Sequence, residues 1–224
     1  MTPKDIPARG PNPTLDDISR SIGPSCLFVM GTLAHPTSPE QTIVLIGADH
    51  SMWPVFTLSP EYTDTARNPL DRWSKRIIGA LATTLKAEAV YPSDGPPYAP
   101  FISWALASGQ FFQSPTGMMV HVKAGLMISI RAALILDQAI DPDKPAANPC
   151  DSCATKPCVT ACPVDALSNQ HFYDVATCKA YLRSTAGADC MNHGCKTRTA
   201  CPVSQSFNRN PAQSAFHMRA FTGV

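Results

Sequence analysis

Two short apolar runs open the hydrophobic pattern. Residues 25–35 (SCLFVMGTLAH) and 41–50 (QTIVLIGADH) are rich in β-branched and large apolar side chains, each broken by one glycine, and runs of that length predict two buried strands. The period then changes. In NPLDRWSKRIIGALATTLKAEA, 68–89, Leu70, Trp73, Ile77, Leu81 and Leu85 recur every three or four positions, which predicts an amphipathic helix capped by Asn68 ahead of Pro69. A shorter helix is expected over 98–109 (YAPFISWALASG). Residues 117–137 (GMMVHVKAGLMISIRAALILD) hold two further apolar runs, separated around Lys123 to Gly125. Strands are the first reading there, while Ile128 to Ile140 also fits a helix, because periodicity does not decide short apolar runs. Strands and helices in this order predict an α+β fold, a sheet with helices packed on it.

The pattern stops at DPDKPAANP, 141–149, a polar and proline-rich stretch that neither a strand nor a helix continues easily. It divides the chain into expected domains 1–145 and 146–224. With 224 residues the chain buries a core without covalent staples. Charged residues make up 16% and the net charge is +1, giving no general pull toward nucleic acid or an anionic membrane. The N-terminal MTPKDIPARGPNPTLDD has no apolar signal region, and no stretch reaches the roughly 18 apolar residues of a membrane span. A cytoplasmic protein with no membrane and no nucleic-acid partner is expected. In that compartment clustered thiols bind metal or do redox chemistry more readily than they form disulfides.

The cysteines are confined to the second part. Apart from Cys26, which reads as a small buried hydrophobe, all lie between 150 and 201: Cys150, Cys153, Cys158, Cys162, Cys178, Cys190, Cys195 and Cys201. The first four, ending in Cys162-Pro163, nearly follow the bacterial ferredoxin run C-x2-C-x2-C-x3-C-P, whose fourth cysteine binds the other cluster. Here the second gap is four residues, and the return half also ends in Cys-Pro, at Cys201-Pro202. Eight thiolates and two Cys-Pro ends fit two [4Fe-4S] clusters, with Cys150, Cys153, Cys158 and Cys201 on one and Cys162, Cys178, Cys190 and Cys195 on the other. Two zinc sites of four thiolates each are the alternative, although zinc modules favour paired C-x2-C knuckles. From residue 150 onward seven Lys and Arg face four Asp and Glu, an excess suited to balancing anionic clusters. Its members, Lys156, Lys179, Arg183, Lys196, Arg198, Arg209 and Arg219, are too scattered for a nucleic-acid patch.

CDSCATKPCVTACPVDAL, ATCKAYLRSTAG and DCMNHGCKTRTACPVSQSFN together resemble the two-cluster ferredoxin domain of epoxyqueuosine reductases and corrinoid reductive dehalogenases. Cys178, Tyr181 and Leu182 match the Cys-x-x-Tyr-Leu element of the former. Upstream, HVKAGLMISIRAALIL, 121–136, resembles a segment of the CblC-type cobalamin-processing proteins, with His121, Gly125, Ile130 and Arg131 matching by type and spacing. Val122 replaces a proline of that segment, and Leu126 and Met127 replace a Gly-Trp pair. The resemblances imply a nitroreductase-like, cobalamin-binding sandwich followed by the two-cluster domain. They further imply an iron-sulfur oxidoreductase that receives electrons from a redox partner protein and passes them to a corrinoid, in its reduction or processing. A plain ferredoxin-type electron carrier without a corrinoid site is the alternative.

His121, Gly125 and Arg131 are thus the cofactor-binding candidates. His121 between two valines reads equally as a strand histidine. Arg131, a charge inside an apolar run, needs a partner, either an anionic ligand or a carboxylate such as Asp137 or Asp49. Asp94, in YPSDGPPYAPF, sits where epoxyqueuosine reductases carry an acidic proton donor, so it is the catalytic candidate, with a turn role preferred. Met118, Met119 and Met127 read as core or pocket lining. No tRNA-modifying activity and no respiratory dehalogenation is expected, because the chain shows neither helical repeats after the clusters nor a twin-arginine signal.

Overall fold

A computed structural model describes residues 13–168 and 173–223. The first element, α1 (Leu15–Ile22), starts at a reciprocal cap: the Asp17 backbone N–H donates to the Thr14 hydroxyl, and the Thr14 backbone N–H donates to the Asp17 carboxylate. Next come the two expected strands, β1 (Leu27–His35) and β2 (Ser38–Ala48), paired antiparallel. Cys26 precedes β1 in a left-handed conformation, partly buried against the core. After β2 lie α2 (Met52–Thr57) and α3 (Pro60–Thr63), and then α4 (Pro69–Leu85).

Asn68 holds the cap position of α4, but its backbone is left-handed and its side chain makes no capping bond. Pro69, with its fixed φ at the first helical position, takes over the start. The buried face passes through Leu70, Trp73, Ser74, Ile78, Leu81 and Ala82, so Ile78 lies deeper than Ile77. The next elements are β3 (Glu88–Val90), α5 (Phe101–Ala107) and the hairpin β4 (Phe111–Gln113) with β5 (Met119–His121). Residues 130–136 form β6 (Ile130–Leu136), a strand; pairing with β2 decides against a helix there.

The main sheet has the order β1-β2-β6-β3 and is antiparallel throughout. Its side chains alternate between two cores, as a period of two requires. Val44, Ile46, Ala132 and Leu134 pack with Ile18, Phe56 and Trp73, while Ile43, Leu45 and Ala133 pack with Met30, Trp104 and Phe111. Each of the larger side chains adds about 1.5–3 kcal/mol by leaving water. Burial on both faces explains why β2 reads as continuously apolar from Ile43 to Ile46.

No helix or strand lies between 137 and 149, but the segment is fastened to the sheet layer. The Asp143 N–H donates to Thr32 Oγ1 at 3.0 Å and the Ala146 N–H to the Gly109 carbonyl at 3.0 Å. Beyond it lie α6 (Val175–Leu182), α7 (Ala188–His193), α8 (Lys196–Ala200), α9 (Pro202–Phe207) and α10 (Pro211–Thr222), with no strand among the described residues. These helices share the cores of the sheet. The Phe216 ring lies 5.4 Å from Trp53 and 5.8 Å from Phe56, and the Phe207 ring lies 6.2 Å from Phe28. Among the described residues no helix is long and apolar enough to cross a membrane.

Candidate metal centres

Three short pieces of backbone bring the first four thiols together. Cys150 and Cys153 lie on the loop after Pro149, Cys158 on the 3-10 turn Pro157–Val159, and Cys201 at the start of α9. All four line one cavity of about 360 Å³. Its other walls are mainly apolar, with Val120 and Leu126 from the sheet side and Pro157 and Pro202 from the cysteine side. Burial pushes the Cys150 and Cys158 thiols up, and the thiols repelling them belong to the same set: Cys158, Cys201 and Cys153 act on Cys150, and Cys201 and Cys153 act on Cys158. Burial and mutual repulsion both favour the neutral, protonated thiols here.

The second four are carried mostly on helices. Cys178 lies on α6, Cys190 on α7 and Cys195 at the start of α8, while Cys162 lies on the loop beyond the first set. Cys178 and Cys195 line a second cavity of about 240 Å³, together with Met118, Met127, Arg198, Arg209 and His217. Burial raises the Cys178 and Cys190 thiols; Cys195 and Cys162 repel Cys178, and Cys195 repels Cys190. The Tyr173 hydroxyl donates to Cys178 Sγ at 3.5 Å. The two cavities flank a single stretch of chain, with Val120 and Leu126 facing the first and Met118, Met127 and Ile128 the second. Among the described residues no three His, Cys, Asp or Glu side chains converge on a point where one metal ion would sit.

The three cofactor-binding candidates are not brought together. His121 is 3% exposed between the rings of Phe28 and Phe111. Its Nδ1 accepts from the backbone N–H groups of Lys123 and Ala124 at 3.1 and 3.0 Å, which leaves the proton on Nε2 to donate to the Met30 carbonyl at 2.9 Å. The ring pins the turn after β5 to β1. Gly125, in the left-handed region at φ 58°, closes that turn beneath α9. Arg131 pairs with Asp71 of α4 at 2.5 Å and donates to Ser74 Oγ at 3.1 Å, so its carboxylate is neither Asp137 nor Asp49. It tethers β6 to α4. Asp94 is exposed, follows a turn bond to the Tyr91 carbonyl and pairs with Lys75 at 2.5 Å, the arrangement of a turn residue.

Burial holds His121 at about 4, below the ordinary value of 6.5, so the folded protein keeps it neutral. The unfolded chain takes up the proton first as pH falls, so this contribution is complete above about 6.5 and is lost between there and about 4. Urea unfolding of the wild type at pH 7 and pH 5 should therefore show a loss about 2 kcal/mol larger than that of His121→Gln. Equal pH dependence in the two proteins would remove the histidine from this account.

Arg209 and His217, which line the second cavity, and Gln213 on the same helix as His217 were not singled out as site residues by the pattern. Nε of Arg209, both amide atoms of Gln213 and Nε2 of His217 are sealed from solvent without a hydrogen-bond partner. Burial lowers Arg209 to about 9. Burial, followed by repulsion from Arg209, Arg131 and Arg198, lowers His217 to about 3. The spacing of Gln213 and His217, one helical turn apart on α10, was the available signal, but it does not separate a buried polar face from an exposed one. No family model and no curated protein matches the chain.

Proposed function

We propose that the protein is an electron-transfer protein holding two [4Fe-4S] clusters. The observation that carries this reading is the sorting of the eight thiols. Cys201, the last in the sequence, lines the same cavity as Cys150, Cys153 and Cys158, while Cys162, only four residues after Cys158, acts on Cys178 in the other set. This grouping matches the one crossed ligation in a two-cluster ferredoxin run would require, and so supports the reading. Thiols arranged around a cavity, rather than converging on a point, suit a polynuclear centre whose ligands bind separate irons, and favour it over zinc.

Cys150, Cys153, Cys158 and Cys201 would hold one cluster, and Cys162, Cys178, Cys190 and Cys195 the other. When bound, each cluster takes up and releases single electrons at a potential set by its surroundings. Val120, Leu126, Met118, Met127 and Ile128 exclude water from the facing sides and place the two thiol sets on opposite flanks of one strand and its turn. The antiparallel sheet covered on both faces supports the nitroreductase-like reading of residues 1–145. The ferredoxin likeness of residues 146–224 rests on the cysteine order, since the described part is helical.

The geometry lends the corrinoid expectation no residue of its own, because His121 and Gly125 serve the turn under α9 and Arg131 serves the pair with Asp71. Electron transfer without a resident corrinoid is the reading the structure favours. Anaerobically purified protein should contain about eight iron and eight sulfide per chain, and a cobalamin titration should leave the corrinoid spectrum unperturbed. Zinc in place of iron would end this reading. A saturable corrinoid shift would restore the corrinoid-linked oxidoreductase in its stead.

A further inference from the structure

The two thiol sets sit in different electrostatic surroundings. Around the first, the charges acting on the thiols are the exposed Lys156, which favours the Cys158 thiolate, and Asp151, which opposes the Cys150 thiolate. One is positive and the other negative, and the remaining walls are chiefly proline, valine, leucine and small residues. Around the second, Arg198 and Arg209 line the cavity itself, beside His217. Asp174 opposes the Cys178 thiolate, and Asp189 beside Cys190 is already paired with Lys196 at 2.9 Å. The balance at the second set is cationic.

The guanidinium groups of that cavity bond to backbone and sulfur. Arg209 donates from Nη1 to the Met127 carbonyl at 3.3 Å and from Nη2 to the Met127 thioether at 3.1 Å, and Arg198 donates to the Leu126 carbonyl. Neither guanidinium makes an ion pair with a carboxylate among the described residues. Sealed, unpartnered polar groups are costly, and more so when charged, and buried cations are found where an anion answers them. Two sealed nitrogens, Nε of Arg209 and Nε2 of His217, belong to residues lining the cavity that Cys178 and Cys195 also line. The anion supplied by the chain's own chemistry is the second cluster, which with four thiolates carries about two negative charges when oxidised and one more when reduced.

We infer that Arg209, Arg198, His217 and Tyr173 form an outer shell of donors to the second cluster and set its potential above that of the first. The inference rests on the two-cluster reading. Positive charge and N–H or O–H donors near cluster sulfur stabilise the more negative, reduced state and so raise the potential. Among the described residues no arginine or histidine lines the first cavity, so the chain's own residues make the second centre the one on which an electron rests.

The test is an anaerobic redox titration of the intact iron-loaded protein followed by electron paramagnetic resonance. The wild type should show two separated reduction waves, and Cys158→Ala, which keeps only the second cluster, should retain the higher one. Arg209→Leu should move the higher wave downward and leave the lower in place, while Arg209→Lys should keep most of the separation. Should Arg209→Leu lose second-set iron, Tyr173→Phe removes one donor to Cys178 without charge or bulk, and should still lower the same wave by a smaller step. Coincident waves, a lower wave in Cys158→Ala, or unshifted potentials in Arg209→Leu and Tyr173→Phe at full iron content would overturn the inference alone. A wild type without iron in the second set would overturn the two-cluster reading itself.

Discussion

Cys201→Ala should strip the protein of about half its iron, and of the same half that Cys153→Ala removes, while Cys162→Ala should strip the other half. Sequence distance argues for the opposite grouping, since Cys162 follows Cys158 by four residues and Cys201 lies on another helix. The fold reverses that order. Cys158 and Cys201 are 7% and 8% exposed and share one apolar cluster with Val120, Leu126 and Cys150. Helix α8 lies against the turn that carries Cys158, which brings the end of the return half back onto the first run. A chain with one ligand missing from a set leaves three thiols to hold four irons in a site built for four ligands, so loss of that cluster is the expected result. The measurement is iron and sulfide content of each variant, with the resonance of the surviving cluster identifying the half that remains. Cys201→Ala and Cys162→Ala losing the same cluster would show that the sets are not crossed.

The parts of the fold that follow local rules were readable in advance. β1, β2 and α4 come from unbroken or periodic apolar runs, and the two Cys-Pro ends carry their meaning in the adjacent residues. The remaining features depend on partners far away in sequence. His121 earns its place through the Met30 carbonyl and Arg131 through Asp71, and no spacing rule connects such residues. Residues 117–137 read as two apolar runs, but their role as the wall between two thiol sets appears only when the return half folds over them. Arg209 and His217 are unremarkable in the sequence because an arginine in a short loop and a histidine on a helix are ordinarily solvated. Here α10 packs against the loop between Cys190 and Cys195, where Gly194 leaves no room for a β-carbon beside Ser214, and Nε of Arg209 and Nε2 of His217 are buried. Packing of Phe207 and Phe216 into the sheet cores likewise has no signature beyond their being apolar.

A left-handed, closely packed glycine, Gly125, joins that assembly to the sheet, and Gly125→Ala should destabilise the protein by about 2–4 kcal/mol. Two effects act together there. At φ 58° the residue is left-handed, a conformation that costs a residue with a β-carbon about 1–2 kcal/mol. A β-carbon would also stand 2.4 Å from the Ser204 backbone nitrogen and 2.6 Å from its hydroxyl, and backbone at the start of a helix does not yield as a flexible side chain would. Ser204 cannot turn away freely, because its hydroxyl accepts the Leu126 N–H at 2.8 Å. Relief must come from separating the β5–β6 turn from α9. That movement disturbs the first cavity, since Leu126 and Cys201 both line it. The variant should therefore show a lower urea midpoint and faster loss of iron from the set containing Cys201 than from the other. Gly23→Ala is the control, because its β-carbon meets nothing within 4 Å and its φ is −52°. Should Gly125→Ala unfold at the wild-type midpoint and release iron evenly from both sets, the turn would not be what holds the cysteine-bearing helices to the sheet.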